Sequence, residues 1–201
     1  CYLRALLRCG ANPNVGDYDA RTALHVANAS GNKAAVELLI NHPTINMDPR
    51  DNFGRTPLME AVRHGHEACA RLMCNRGAKH GFVTDLRENA DPAGVPAGQE
   101  LCQAAFSNQV TYLHGLLNYC RINVDAADYD LRTALMLASA EGNVPVAVSL
   151  VQQKADIHRK DRWGHTAISE AKEHGHKELA NVLTLMAHMR DAAGQARCSG
   201  A

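Results

Sequence analysis

Aromatic residues are scarce in this 201-residue chain, where phenylalanine, tyrosine and tryptophan together make up 4%. An excess of charge of one sign is also missing, because 21 Lys and Arg residues balance 21 Asp and Glu residues. No hydrophobic run approaches the roughly 18 residues that a membrane-spanning helix needs, and no signal peptide is recognisable. We therefore expect no nucleic-acid partner and no membrane insertion for this chain.

The remaining composition is that of a globular protein. Apolar residues make up 46% of the chain and charged residues 21%, which is too apolar for a disordered polypeptide. With so few aromatic residues, we expect alanine and leucine to fill the interior. Seven cysteines, an odd number at irregular spacing, predict reduced thiols in a cytoplasmic protein. Because the first residue is Cys1, we expect the chain to be a piece of a longer protein.

A short motif recurs along the chain at nearly constant spacing. It starts at Thr22, Thr56, Thr133 and Thr166, and a weaker copy starts at Gln99. The steps between successive starts are 34, 43, 34 and 33 residues, so the long step contains an insertion. A period near 33 residues is typical of proteins whose repeats stack on one another.

Each copy of the motif predicts a pair of short helices. The threonine is a suitable N-cap, and Pro57 occupies the first helical position of the second copy. The second helix carries apolar residues at i, i+3 and i+4, as in Val36, Leu39 and Ile40. The first helix is predicted to end at a residue that tolerates a left-handed backbone. These residues are Gly31, Gly65, Asn108, Gly142 and Gly175.

These motifs resemble ankyrin repeats, from Tyr2 to about Met189. The resemblance rests on Arg21-Thr22-Ala23-Leu24-His25, on Gly54-Arg55-Thr56-Pro57-Leu58, and on His-Gly-His at 64–66 and 174–176. It implies an all-α ankyrin-repeat solenoid, in which helix-turn-helix repeats carry short β-hairpin tips. Ala20 and Leu131 replace the hairpin glycine of the family, which puts the geometry of those two hairpins in doubt.

The resemblance also divides the chain. A partial repeat and repeats 1 and 2 are expected in 1–80, and an exposed insertion loop rich in proline and glycine in 81–98. Repeats 3 to 5, the last of them a polar C-terminal cap, are expected in 99–190. A flexible tail is expected in 191–201.

The hairpin tips are the candidate binding site. Four of the nine aromatic residues lie there, and an arginine or histidine directly precedes each repeat threonine. Exposed aromatic and arginine side chains dominate protein interfaces, although the same side chains could simply stack one hairpin on the next. The predicted protein-binding residues are Tyr18, Asp19, Arg21, Phe53, Arg55, Tyr129, Asp130, Arg132, Arg162, Trp163 and His165.

Eleven histidines and seven cysteines also suggest a metal site. Nitrogen and sulfur ligands of the type that Zn²⁺ prefers cluster at His64, His66, Cys69 and Cys74. However, the same His-Gly-His pattern recurs at 174–176 without a nearby cysteine, so a turn of the repeat explains it. We predict no metal site and no cofactor.

A nucleophilic site is also weakly indicated. Cys102 or Ser169 with a histidine would be the candidate, but no third orienting group stands at a motif spacing. We therefore predict no catalytic residues and a non-enzymatic protein. Its expected function is a protein-interaction module that binds through the hairpin tips and the concave face.

An alternative function follows from the order of the repeats. This order resembles the cytosolic ankyrin region of plant-type outward potassium channels and the ankyrin tail of asparaginase/lysophospholipase amidohydrolases. Parts also resemble the ankyrin tails of glutaminases and of plant ankyrin-containing kinases. The resemblance implies a cis-regulatory region of a larger channel or amidohydrolase, whose partner is a domain of the parent chain. A channel parent would place the repeats at the cytosolic face of a membrane.

Overall fold

Helices dominate the described part of the chain. The computed structural model describes residues 2–83 and 95–198, with side chains for 2–81 and 96–190. The elements are α1 Tyr2–Arg8, α2 Ala23–Ala29, α3 Lys33–Ile40, α4 Pro57–Arg63, α5 Glu67–Asn75, β1 Phe82–Val83, β2 Val95–Pro96, α6 Ala97–Phe106, α7 Val110–Asn118, α8 Ala134–Ala140, α9 Val144–Gln152, α10 Ala167–Glu173 and α11 Lys177–Cys198.

The repeat threonines are the N-caps of the inner helices α2, α4, α8 and α10, as predicted. At α10, the Thr166 hydroxyl accepts a hydrogen bond from the Ser169 N–H at 3.3 Å, and Ser169 Oγ accepts one from the Thr166 N–H at 2.7 Å. At α2, His25 Nδ1 accepts from the Thr22 N–H at 3.1 Å. Such caps satisfy backbone donors that a helix leaves unpaired at its start.

The inner helices also end where the sequence predicts. All five predicted end residues have a positive φ, between 54° and 83°. Two of these glycines make room for a histidine of the next repeat. A Cβ on Gly31 would lie 2.5 Å from His66 Nδ1, and one on Gly142 would lie 2.5 Å from His176 Nδ1. The second histidine of each His-Gly-His therefore packs on the preceding repeat, which confirms the interpretation as a repeat turn.

The core consists of alanine and aliphatic side chains, as the composition predicts. Leu24 and Leu39 are fully buried, and burying a leucine contributes roughly 1.5–3 kcal/mol. Ala61 and Ala138 are also fully buried, and small side chains let neighbouring inner helices approach closely. The inner helices pack as α2 on α4, α6 on α8 and α8 on α10. No aromatic side chain is buried among those that the structure describes.

The chain divides into two compact units. Unit 1 consists of Cys1–Pro96 with His114–Ile122, and unit 2 consists of Ala97–Leu113 with Asn123–Ala201. The first change of unit, between Pro96 and Ala97, falls inside the predicted insertion at 81–98, and helix α7 contributes residues to both units. Each unit contains two complete hairpin tips.

The structure corrects the limits of the expected loop at 81–98, because residues 82–83 and 95–98 belong to regular elements. Strands β1 and β2 pair in parallel, with Phe82 opposite Val95. Ala97 and Gly98 are buried and already belong to α6, and Gly98 lies against the backbone of Ala127. Proline and glycine suggested a loop, but proline is also tolerated at a helix start and glycine where two backbones meet. Residues 84–94 lie outside the described part.

The expected tail also needs a correction. Helix α11 continues to Cys198, so the backbone of 191–198 is helical where the sequence predicts a flexible segment from residue 191. Alanine is abundant in this segment and favours helix continuation. Among the described helices, none combines the length and the apolar character needed to cross a membrane.

Candidate functional site

The four hairpin tips are residues 17–21, 51–55, 128–132 and 161–165, called here the first to fourth tips. An aspartate organises each of them. In the first tip, Asp17 Oδ1 accepts hydrogen bonds from the backbone N–H of Asp19 at 3.0 Å and of Arg21 at 2.9 Å. Aspartate commonly fixes turns in this way. The same two bonds, at 2.8–2.9 Å, recur at Asp51, Asp128 and Asp161.

The fourth residue of every tip has a left-handed backbone. Gly54 and Gly164 have φ of 74° and 89°, and Ala20 and Leu131 have φ of 60° and 63°. The doubt about the two hairpins without glycine is therefore resolved, because their turns keep the same geometry. A residue with a Cβ is strained in this conformation by roughly 1–2 kcal/mol. The bonds from the tip aspartate hold the strained residues in place.

Neighbouring tips are joined through their backbones within each unit. In unit 1, the Asn52 N–H donates to the Asp19 carbonyl at 2.9 Å, and Asn52 Nδ2 donates to the Tyr18 carbonyl at 3.1 Å. In unit 2, the Arg162 N–H donates to the Asp130 carbonyl at 3.1 Å. The second residue of one tip thus ties it to the preceding tip.

The aromatic side chains nevertheless remain exposed. The exposed fractions are 86% for Tyr18, 60% for Phe53, 79% for Tyr129 and 60% for Trp163. This exposure is compatible with the binding hypothesis, which stays a prediction. The tips contact each other through the backbone, and their rings face solvent, where a partner could cover them.

Arginine guanidinium groups lie over two of these rings. Arg55 lies 5.3 Å from the centre of the Phe53 ring, and Arg162 lies 4.9 Å from the centre of the Tyr129 ring. An exposed cation over a ring contributes roughly 0.5–1 kcal/mol. Arg162 also pairs with Asp130 at 3.3 Å, so it links the third and fourth tips by side chain as well as by backbone.

In the first and third tips, the aspartate also positions the arginine that precedes the repeat threonine. Arg21 pairs with Asp17 at 3.1 Å, and Arg132 pairs with Asp128 at 2.9 Å. The backbone N–H of Arg21, together with its guanidinium, holds the pKa of the Asp17 carboxyl below its ordinary value. Exposed ion pairs add little stability, so these contacts mainly fix where the guanidinium groups lie.

A glutamate in the inner helix follows the second and fourth tips. Glu60 lies 4.0 Å from the Arg55 guanidinium and 3.4 Å from His64 Nε2. At the equivalent place in unit 2, Glu170 lies 3.1 Å from His165 Nδ1. The hydrogen bond to Glu170 raises the pKa of His165 above its ordinary value.

Asp161, His165 and Glu170 also bring potential ligand atoms within 4.8 Å of one another. Asp161 Oδ1 is already occupied by two backbone N–H groups, and His165 Nδ1 by Glu170. These contacts serve the hairpin and the helix start. The cluster therefore has a structural explanation, like that of His66, whose Nε2 hydrogen-bonds to the Ala29 carbonyl at 3.0 Å.

A groove in unit 2 adjoins the fourth tip, and the sequence did not predict it. Its volume is about 370 Å³, at the low end for ligand pockets. Trp163 and Phe106, which is 50% exposed, contribute rings to its lining. Glu141 and Glu173 contribute carboxylates, and Arg132 contributes a guanidinium.

Sequence reasoning missed the groove because its residues come from the ends and faces of α6, α8 and α10 and from the third and fourth tips. It also missed the role of the tip aspartates, although their recurrence at 17, 51, 128 and 161, just ahead of the repeat threonines, was a usable signal. The eleven predicted residues are distributed over both units. The first and second tips meet in unit 1, and the third and fourth tips meet in unit 2.

Known proteins share the repeats. Plant potassium channels are among the relatives. The potassium channel KOR2 of Oryza sativa subsp. japonica is 36% identical over 181 residues, which cover 90% of this chain and 23% of the channel. Serine/threonine-protein kinase 12 of Arabidopsis thaliana is 37% identical over 130 residues, which cover 63% of this chain and 28% of the kinase. The chain thus spans only about a quarter of these relatives.

Solved structures agree with the fold. The crystal structure of the ankyrin repeat domain of Bcl-3 is similar, with a TM-score of 0.64 and 27% identity, covering 84% of this chain and 71% of that one. The predicted all-α ankyrin-repeat fold is confirmed. A family model described as ankyrin repeats (3 copies) matches residues 2–83 and 101–193. The capped helix pairs, the hairpin tips and this match establish that the chain belongs to the ankyrin-repeat family.

Proposed function

We propose that this chain is a non-enzymatic module that binds a protein partner through its hairpin tips and the concave face of its repeats. The observation that carries the proposal is the pairing of exposed rings with positioned cations. Each tip presents an exposed aromatic side chain on a backbone held by an aspartate. Next to it stands an arginine or, in the fourth tip, a histidine.

Aromatic and arginine side chains are the types that lose most binding energy when truncated at protein interfaces. The buried apolar side chains of the helix pairs are not available to a partner, because the packing of the repeats covers them, whereas Phe106 of α6 is half exposed. Four of the six exposed aromatic side chains in the described part of the chain lie at the tips. Their aspartates also provide the charged rim that surrounds the anchors of many interfaces.

The test uses ligands selected for this chain. Random peptides displayed on phage are selected on the wild-type protein, and the selected peptides are titrated calorimetrically against wild type and against Trp163→Ala with Arg132→Ala. We expect the double variant to weaken binding at least tenfold, about 1.4 kcal/mol, with little change in melting temperature. A second variant, Tyr18→Ala with Phe53→Ala, measures the contribution of the tips of unit 1.

The control variant removes the same residue types elsewhere. Tyr2→Ala with Arg8→Ala truncates two exposed side chains of α1 and should leave the affinities unchanged. Ligands that bind the tip variants as tightly as wild type would contradict the proposal. A tip variant that melts earlier but keeps its affinity would show that the rings only join the hairpins.

A second candidate function is cis regulation of a potassium channel. It is favoured by the 36% identity to KOR2 over 90% of this chain. In this version the partner is a cytosolic domain of the same polypeptide, and the module lies at the cytosolic face of a membrane. The amidohydrolase parent has no such support and stays a prediction.

The coding sequence upstream of Cys1 decides between the parents. A pore followed by a cyclic-nucleotide-binding-like domain would support the channel, and an amidohydrolase or kinase domain would contradict it. The cytosolic segment found there can then be titrated with this chain and with its tip variants. Binding that requires the tips supports regulation in cis through this surface.

A further inference from the structure

We infer that the groove of unit 2 binds a linear segment of a partner in which arginine or lysine alternates with apolar residues. The inference rests on the proposed function and names the chemistry of the partner. The groove combines two exposed rings, from Phe106 and Trp163, with carboxylates at its edge. Rings attract cations through their faces, and carboxylates pair with them.

The charges of the groove favour a cationic ligand. Its lining contains four carboxylates, those of Glu141, Asp161, Glu170 and Glu173, and one guanidinium, that of Arg132. That guanidinium is already paired with Asp128 at 2.9 Å. Asp161 and Glu170 are engaged by the fourth tip and by histidines.

Glu141 and Glu173 are the carboxylates of the lining that no hydrogen bond of the fourth tip engages, although the charge of Glu173 also contributes to the raised pKa of His165. Both are exposed, and neither has an ion-pair partner within 4.0 Å among the residues that the structure describes. Each stands at the C-terminal end of a short inner helix, Glu141 as the C-cap of α8 and Glu173 as the last residue of α10. Negative charge is unfavourable there, because it adds to the negative end of the helix dipole.

Unit 1 shows that the repeat itself does not require these glutamates. At the corresponding helix ends it has Ser30 as the C-cap of α2 and Arg63 as the last residue of α4. Glu141 and Glu173 oppose helix stability at these ends, and the matching places in unit 1 carry no acidic residue, so the repeat packing alone does not account for them. A partner's cation would neutralise them.

The experiment uses a defined peptide and the only tryptophan of the chain, Trp163, as the reporter. A blocked nonapeptide, Gly-Ser-Arg-Leu-Arg-Leu-Arg-Ser-Gly, is titrated at low salt while tryptophan emission is recorded. Versions with glutamine or glutamate in place of arginine are titrated in the same way. We expect the arginine peptide to bind at least tenfold more tightly than the glutamine peptide and the glutamate peptide not to bind.

Variants then locate the interaction. Glu141→Gln with Glu173→Gln should weaken binding of the arginine peptide at least tenfold without lowering the melting temperature, because removing a negative charge from a helix C-terminus does not destabilise the helix. The control, Glu37→Gln with Glu178→Gln, removes the same charge from exposed positions outside the groove and should change the affinity less than twofold. Glu173→Lys alone should weaken binding further and serves as the second variant if the double variant is unstable.

Several outcomes would overturn the inference. Equal binding of the arginine and glutamine peptides would contradict it. Equal effects of the groove variant and the control variant would also contradict it, because they would indicate non-specific electrostatic attraction. No binding of the arginine peptide would overturn it as well. Selected phage ligands that need the tips but carry no basic residues would refute the groove chemistry and leave the proposed function intact. Ligands that depend on neither the tips nor the groove would refute both.

Discussion

Replacing Ala20 by glycine should stabilise the protein, although glycine usually does the opposite. Ala20 has a φ of 60° at the fourth position of the first tip, where the second and fourth tips have glycine. The left-handed backbone costs an alanine roughly 1–2 kcal/mol. Glycine removes this strain but gives up roughly 0.5–1 kcal/mol through the greater freedom of the unfolded chain. We expect a net gain of about 0.5–1 kcal/mol.

The reverse change provides the matched test. Gly164 has a φ of 89°, and a Cβ placed on it would meet nothing within 4 Å. Gly164→Ala should therefore lose stability through backbone strain alone, by about 0.5–1 kcal/mol. The control is Ala34→Gly, the same chemical change as Ala20→Gly but at an exposed position inside α3. It should destabilise by roughly 1 kcal/mol.

Urea unfolding followed by circular dichroism measures all three variants, with an unchanged m-value required for the comparison. Thermal melting should follow, at roughly 2–4 °C per kcal/mol for a chain of this size. If Ala20→Gly destabilises the protein as Ala34→Gly does, the strain argument is refuted. If Gly164→Ala is neutral, the left-handed tip is tolerated by alanine and the strain has been overestimated.

Three further changes test other contacts. The hydrogen bond to Glu170 raises the pKa of His165. Protonated His165 therefore stabilises the folded protein fully below about pH 6.5, and this stabilisation is lost as the pH rises through the raised pKa. His165→Gln should therefore lower the melting temperature more at pH 5.5 than at about pH 8.5; equal losses would contradict this. Burial raises the pKa of Cys102 to about 12, so iodoacetamide should modify the exposed Cys9 and leave Cys102 unmodified until unfolding, as mass spectrometry can show. Equal rates would contradict it. His25→Met should lower the free energy of unfolding in urea by about 1 kcal/mol, because it removes the 3.0 Å hydrogen bond between His25 Nε2 and the Arg55 carbonyl of the next repeat. The helix cap should be retained, because Met59 accepts a hydrogen bond from the Thr56 N–H at the equivalent position of α4. A neutral result would show that the inter-repeat bond adds nothing.

Local rules predicted the helices well. The threonine caps and the ends of the inner helices follow from single residues and their immediate neighbours, and even Asn108, in place of glycine, has the left-handed backbone expected of it. The geometry of Ala20 and Leu131 could not be predicted from propensity, which argues against it. It follows from hydrogen bonds to the aspartate three residues earlier.

The exposure of the candidate site residues was predictable from the sequence, and the architecture around them was less so. The exposed rings at the tips followed from the repeat register, because the same position recurs outside the apolar stripes. The groove could not be predicted from the repeat register, because Phe106 and Glu141 belong to different repeats and approach each other only when α6 packs on α8. Ala97 was missed for the same reason, because its burial depends on packing rather than on neighbouring prolines and glycines.

For the proposed binding at the tips, the aspartate that closes each tip has a kinetic and an energetic consequence. One carboxylate oxygen of Asp17 immobilises two amides, and the other oxygen holds the guanidinium of Arg21. The loss of conformational entropy at the tip is therefore incurred when the protein folds, and association does not have to supply it again. The tips would act as rigid templates rather than as segments that order on contact, so differences in affinity between partners would arise mainly from their dissociation rates.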